Sequence, residues 1–482
     1  MIYDFIIVGA GVVGASVGRE LMKYNVTALM IERENDVCNH ASLANSAIVH
    51  SGHDPKPGTL KARLNVEGNA LYDELEKEIQ VPLLRNGAFM VAQSDEEVQT
   101  LKDLGERAKE NGVPGVELLS REEALKAEPN LHPDVKNVLD LPTTKITYPW
   151  EVTLANAENA IDNGLEFKKA TEVVDITRED NVYTVHTKKG DAFKCRYVIN
   201  AAGGFSDKIA AMVEKTPPYE ITPRRGEYFV IDRHMQGFVD RTLYPTPSKR
   251  GKGVLIVPQV HGELLIGPSS EFQDSPLNVD NTKAGLSHVR KESMRLAQNI
   301  PFNKVIRTFT GVRASSSHKD FYIAESKESP NFIHLGGIDS PGLTAAPAIA
   351  RYVVDEIVKP KETLEVNEAF YPYRERIRMF HDMNEEEKRE AFRFDPAYGN
   401  LICKCEKVTE ADAVHHINRS VPGDTVKGMK KRSRAGAGLC QGGYCEHNVI
   451  HLIARETGKK VTEVEYYDEN SNILKGETKV KQ

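Results

Sequence analysis

The chain opens on an apolar run, Tyr3-Asp-Phe-Ile-Ile-Val8, that reads as a buried strand. Gly9-Ala-Gly11-Val-Val-Gly14 follows and opens a predicted helix to about Tyr24. A second run, Val26-Thr-Ala-Leu-Met-Ile31, ends at Glu32, so the first segment predicts a strand–helix–strand unit. Charged helical patterns at 94–111 and 120–127 and a helix at 150–163 precede alternating strands at 171–177 and 182–188. The strand Tyr197-Val-Ile-Asn-Ala-Ala runs into Gly203-Gly204. From 219 to 310 the period falls to two (Glu227–Ile231, Gly253–Pro258, Glu263–Ile266), which predicts an antiparallel sheet. Phe332-Ile-His-Leu then leads into Gly336-Gly-Ile-Asp-Ser-Pro-Gly-Leu-Thr-Ala-Ala-Pro and a helix predicted over 348–358. Residues 361–398 are charged and proline-punctuated, a linker with some helix. Repeats and low-complexity tracts are absent from the sequence.

Composition narrows the class. A chain of 482 residues has room for about three domains. The net charge of −7 and pI near 6.1 argue against nucleic-acid binding. No apolar run approaches the ~20 residues of a membrane helix. The strand at residue 3 leaves no room for a signal peptide, so the expected location is cytoplasmic, with any membrane work done through a partner. Six cysteines occur, and four form two close pairs, Cys403-x-Cys405 and Cys440-x-x-x-x-Cys445. In such a chain that favours metal binding over a disulfide framework. Thiolates suit iron–sulfur clusters, Zn²⁺ or Cu(I). A [2Fe–2S] cluster needs four of them; structural zinc commonly uses C-x-x-C pairs, a habit these spacings do not follow. Gly436, Gly438, Gly442 and Gly443 let backbone amides approach the sulfurs, and Lys430, Lys431, Arg432 and Arg434 offset cluster charge or form a solvated face or docking patch. Cys38 and Cys195 read as ordinary thiols.

The three glycines at the head have separable jobs. Gly9 permits a tight turn, Gly11 lets backbone approach a pyrophosphate, and Gly14 lets the helix pack on the strand. The helix N-terminus offers free N–H groups to phosphates, and Glu32 is placed to accept from ribose hydroxyls. NAD and FAD both fit this unit; its place at residue 9 without a second fingerprint favours FAD. Arg313, after Gly311-Val312, can clamp a carboxylate or phosphate. Arg224 and Arg225 read either as anion ligands or as a solvated strand edge. His318-Lys319-Asp320 carry no assignment, and His334, His415 and His416 read as structural.

Several segments together resemble the FAD-dependent D-amino-acid-oxidase superfamily, in the branch holding glycerol-3-phosphate and L-2-hydroxyglutarate dehydrogenases. They are Ser42-Leu-Ala-Asn45-Ser46-Ala-Ile-Val-His50-Ser-Gly52, Pro57-Gly-Thr-Leu-Lys-Ala-Arg, Asn200-Ala-Ala-Gly203, Pro223-Arg-Arg-Gly-Glu-Tyr, Gly311-Val-Arg313 and Asp339-Ser-Pro-Gly342-Leu-Thr344. The cysteines, with the basic run and Cys440-Gln-Gly-Gly-Tyr-Cys445, are similar to the bacterioferritin-associated-ferredoxin-like [2Fe–2S] domain. The resemblance implies a mixed α/β and α+β fold: a Rossmann-like FAD part (about 1–80, 145–215 and 311–360) interleaved with an antiparallel-sheet substrate part (81–144 and 216–310) within residues 1–365. A linker (366–398), a small helical iron–sulfur domain (399–457) and a polar tail (458–482) complete it. It implies FAD contacts at Gly9, Gly11, Val12, Val13, Gly14, Glu32, Arg33, Ser42, Asn45, Ser46, Val173, Ala201, Gly203, Gly311, Gly337, Gly342, Leu343 and Thr344. His50 is expected to face the flavin, with His53 second, and Arg313 to bind substrate. Cys403, Cys405, Cys440 and Cys445 are expected to hold the cluster. The implied reaction oxidises the secondary alcohol of a small anion. Glycerol 3-phosphate leads, a 2-hydroxyacid is the alternative and an amino acid is third. Electrons pass to an acceptor protein or a membrane-anchored redox subunit. His53-Asp54 and Gly336-Gly337-Ile338 depart from the glycerol-3-phosphate pattern of Arg-Tyr and Gly-Gly-Lys, and both lie at the substrate pocket.

Overall fold

The computed structural model describes residues 1–247 and 253–476. Strand Ile2–Val8 lies between Ala192–Asn200 and Ala28–Ile31, parallel to both, and Glu166–Lys168 and Phe332–Gly336 extend the parallel set. Its continuous apolar run follows from covering on both faces: Ile7 joins one apolar core and Ile6 another, both fully buried. Helix Val12–Leu21 packs between helices Pro149–Asp162 and Gly342–Tyr352.

A second sheet, nine-stranded among the described residues, is built on Ile221–Ile231, which pairs antiparallel with Val305–Ser316 along its length. The period-two region is therefore largely sheet, with two departures from the expected pattern: helix Lys283–Ser293 interrupts it, and one of its strands is parallel to its neighbour. Thr242–Pro245 runs parallel to Ala88–Ala92, which brings residues 88–141 into the same layer.

The helix predicted over 348–358 begins earlier, at Gly342, contains Pro347, and widens into a π turn at Val353–Val358. Proline supplies no N–H to the Leu343 carbonyl, and the Tyr72 hydroxyl donates there instead at 2.7 Å.

The C-terminal domain sets hairpin Leu401–Cys403/Val408–Thr409 and helices Glu410–Ile417, Val426–Ser433 and Glu446–Thr457 around Ile402, Val408, Met429 and Ile453. Before it, residues 371–374 lie along helix Pro149–Asp162, where Arg374 donates to the buried Glu158 at 2.6 Å. The polar stretch from 458 folds back: Val464 is buried, and the amides of Val426 and Lys427 donate to Glu465 and Tyr466 carbonyls. Its last residues, 477–482, lie outside the described residues. No described helix is long and apolar enough to cross a membrane.

The basic run needs correction. Lys431 and Arg432 do not face solvent; both are buried against Asp36 of the first domain. Arg434 binds Glu263, Glu406 and the Tyr148 hydroxyl. These cations weld two domains because an unpaired buried carboxylate would be costly.

Candidate functional site

A cavity of about 1370 Å³ runs from the first glycine loop to the second sheet. That exceeds the ~300–1,000 Å³ of common ligand pockets and leaves room for a dinucleotide with a substrate. At its floor the strand–helix turn is too tight for side chains. A Cβ on Gly14 would lie 2.0 Å from the Gly9 carbonyl, and one on Gly9, at φ +108°, 2.6 Å from that of Ala201. A Cβ on Gly311 would lie 1.9 Å from the Ala44 carbonyl, a third close approach. Glu32 ends its strand with one oxygen accepting from the Ala10 amide at 2.7 Å and the other from Glu34 at 3.0 Å. Burial raises its carboxyl, against the pull of those two amides.

Of the expected cofactor contacts, Gly9, Gly11, Val12, Val13, Glu32, Arg33, Ser42, Asn45, Ser46, Val173, Ala201, Gly203, Gly311, Gly342 and Leu343 line this cavity. Gly14, Gly337 and Thr344 do not. Gly14 serves packing, Gly337 takes a positive φ of 64° beside Ser316, and the Thr344 hydroxyl accepts from the His50 amide at 2.9 Å. Ser42 Oγ accepts from the Val12 amide at 2.9 Å, at the helix N-terminus.

The two histidines separate. His50 lines the cavity, with Nδ1 3.2 Å from the Tyr244 hydroxyl and Nε2 3.4 Å from Ser340 Oγ. Its carbonyl accepts from Asn65 and Asn69, so the ring leaves a fixed backbone. His53 is buried behind the wall, its Nδ1 2.9 Å from Ser51 Oγ.

Arg313 lies opposite Arg224 on paired strands, and both line the cavity. Arg313 donates to the carbonyls of Ser269 (2.9 Å) and Arg225 (3.2 Å), which fixes its guanidinium. Arg224 lies over the Phe272 ring, and burial and then the Arg313 charge lower its pKa. Lys61, 2.7 Å from Asp339, adds a third cation. Such a locus suits an anion. Arg225 turns away to Glu271 and Glu227. Asp320 caps helix Leu60–Ile79 through the Leu60 and Lys61 amides, and His334 is fully buried against Glu214.

Sequence reasoning missed Lys61, Tyr228, Tyr244 and Ser340 as neighbours of this site. Lys61, Tyr228 and Ser340 stood inside the segments that carry the family resemblance, whereas Tyr244 reaches His50 across 194 positions and left no local signal.

The four thiols cross-pair. Cys405 and Cys440 sulfurs lie 3.7 Å apart, and Cys445 donates to Cys403. That hydrogen bond holds Cys403 below the usual thiol range, to about 6; burial opposes it, and the amides of Gly436 and Glu406 assist. Amides of Gly442 and Tyr444 point at Cys440, and that of Cys440 at Cys405. Among the described residues no group of three or more His, Cys, Asp or Glu is disposed around a single ion. Two thiol pairs with amides aimed at sulfur fit a two-iron cluster. Cys38 and Cys195 are buried thiols apart from this loop, and burial raises both.

Comparison with known proteins finds two family matches along the chain. Residues 4–356 match the family described as FAD dependent oxidoreductase, and residues 401–455 the BFD-like [2Fe-2S] binding domain. A glycerol 3-phosphate dehydrogenase of Caloramator mitchellensis is 44% identical over 477 residues, 99% of each chain. A mitochondrial L-2-hydroxyglutarate dehydrogenase of Mus musculus is 28% identical over 405 residues, 72% of this chain and 87% of the other. The dithionite-reduced L-alpha-glycerophosphate oxidase of Mycoplasma pneumoniae, solved with FAD bound, superposes with a TM-score of 0.74 at 29% identity. It covers 78% of this chain and 98% of its own.

Proposed function

Because the chain belongs to the FAD-dependent oxidoreductase family and carries a BFD-like [2Fe–2S] domain, we propose that it oxidises sn-glycerol 3-phosphate to dihydroxyacetone phosphate. The observation that carries this reading is the cation locus of Arg313, Arg224 and Lys61 in the cavity that His50 lines. The full-length similarity to a glycerol 3-phosphate dehydrogenase supports it.

Bound FAD supplies a two-electron acceptor. Gly9, Gly11, Glu32, Ser42 and Gly311 would hold it, and the four cysteines would hold the cluster. The chain's own residues do the rest. Arg313, with Arg224 and Lys61, binds the phosphate and sets the substrate's position. His50 removes the proton from the secondary hydroxyl as the C–H bond beside it gives up its electron pair. In the base-competent tautomer Nδ1–H donates to the Tyr244 hydroxyl, and the lone pair is on Nε2, beside Ser340 Oγ.

Electrons leave singly from the cysteine domain to an acceptor protein or quinone-linked subunit. The two partly exposed cysteines, Cys405 and Cys440, adjoin Leu439 and Tyr444, which are 66% and 86% exposed, and suit delivery on that side. A 2-hydroxyacid such as L-2-hydroxyglutarate is the second reading, favoured by Asp54 and Ile338, which line the pocket, and by the relatives of that activity. Anaerobic mixing with each substrate separates them. Glycerol 3-phosphate should bleach the flavin band and L-2-hydroxyglutarate should leave it; the reverse pattern removes the first reading.

A further inference from the structure

The cavity wall at Cys38, Asn39 and His40 comes from the loop that leaves Glu32. On its inner side, the Cys38 amide donates to the Ala10 carbonyl in the first glycine loop at 3.2 Å. The cysteine domain holds the same loop from behind. Arg432 makes two bonds to Asp36, at 2.9 and 2.8 Å, and Lys431 Nζ lies 2.6 Å from the same carboxylate. Lys431 also donates to the Val37 carbonyl (2.7 Å) and to Asn39 Oδ1 (2.9 Å). All three charged side chains are 2–3% exposed.

These cations stand at the end of helix Val426–Ser433, next to the cluster loop. Three residues beyond the helix, the Gly436 amide is aimed at the Cys403 sulfur; Arg434 pairs with Glu406, whose amide points there too. One short stretch, 431–436, thus touches the flavin loop at one end and a cluster ligand at the other. The contact resists sliding, since any shift would strip buried charges of their partners.

We propose that occupancy of the cysteine site and occupancy of the flavin site are coupled through this clasp. Cluster binding fixes the loop from 434 to 445, which fixes the helix end. Lys431 and Arg432 then act as positioning residues that hold residues 36–40 in the shape that binds FAD. Coupling is reciprocal: FAD tightens the cluster by the factor by which the cluster tightens FAD. The flavin family match ends at residue 356, so the interface adds a coupling and not the flavin fold itself. This inference rests on the two cofactors and is independent of the substrate proposed above.

The experiment uses the full chain, stripped of FAD and titrated with FAD under anaerobic conditions, with flavin fluorescence as readout. Cluster-free protein, prepared by chelation of the reduced form, should bind FAD about 5- to 150-fold more weakly than cluster-loaded protein. Arg432→Met with full cluster absorption should show the same direction of change, and Arg432→Lys should recover part of the affinity. Amide hydrogen exchange should slow at 431–436 when FAD is added, and at 36–40 when the cluster is rebuilt. Equal FAD affinity with and without cluster, an unweakened Arg432→Met, or exchange changes confined to each domain would each overturn the coupling. The comparison of unsubstituted protein decides even if Arg432→Met fails to fold.

Discussion

Around the flavin cavity, the lining groups come from segments running from Val8 to Leu343, and several present backbone at glycine. Around the cysteine loop, four thiols between Cys403 and Cys445 meet in two pairs, with backbone amides aimed at their sulfurs. A dinucleotide is long and multiply polar, so many weak contacts can share its binding. A cluster is compact and needs four strong donors at once. The first site should therefore bend under substitution where the second breaks.

Cys403→Ser tests the brittle side. It should abolish the cluster's visible absorption, while FAD at saturating concentration still gives its own bands. A variant keeping a full cluster would break the contrast. Within the cavity, His50→Gln should lower kcat about 10²- to 10⁴-fold with the bound FAD per chain unchanged, in stopped-flow reduction by glycerol 3-phosphate. A change of less than tenfold would remove His50 as the base.

The interface between the two sites responds to acid. Burial alone would raise the Asp36 carboxyl, but Arg432 and Lys431 outweigh it and hold it well below the usual range. A depressed folded pKa contributes stability that is complete above the unfolded value, near 3.9. It is lost as pH falls further, toward the folded value. Thermal midpoints should therefore drop below about pH 4, and Asp36→Asn should lose roughly 3–5 kcal/mol at neutral pH and flatten that acid slope. A wild-type slope retained in the variant would assign it to other carboxylates.

Arg313→Met should cut kcat/KM for glycerol 3-phosphate about 10- to 150-fold, the worth of a charge-assisted contact of about 1.5–3 kcal/mol. The loss should fall mainly in KM, with flavin content retained. Smallest of all, Ser42→Ala removes one cap from the Val12 amide and should weaken FAD by only about 0.5–2 kcal/mol, read by flavin fluorescence. Complete loss of FAD would show that the cavity, too, hangs on single side chains.

Much of the flavin site was legible because its signals are local. Gly9, Gly11 and Gly14 encode a turn and a close helix–strand approach within one short segment, and Ser42, Asn45, Ser46 and Gly311–Arg313 line the cavity. The two histidines were not separable on that basis. Which one faces the cavity depends on Tyr244, Thr344 and Ser340, all distant in sequence.

What the sequence alone determined are the relations set by spacing: the strand–glycine–helix turn, the period of the second sheet, and a four-thiol set with glycines at hand. Tertiary structure alone decided that Cys403 pairs with Cys445 and Cys405 with Cys440. It also buried Lys431 and Arg432 against Asp36 and turned Arg313 with Arg224 toward one cavity. Spacing fixes which residues can meet along one element. Burial and charge pairing depend on which distant surfaces the whole chain brings together, and a basic run reads the same on paper whether it ends in water or in a core.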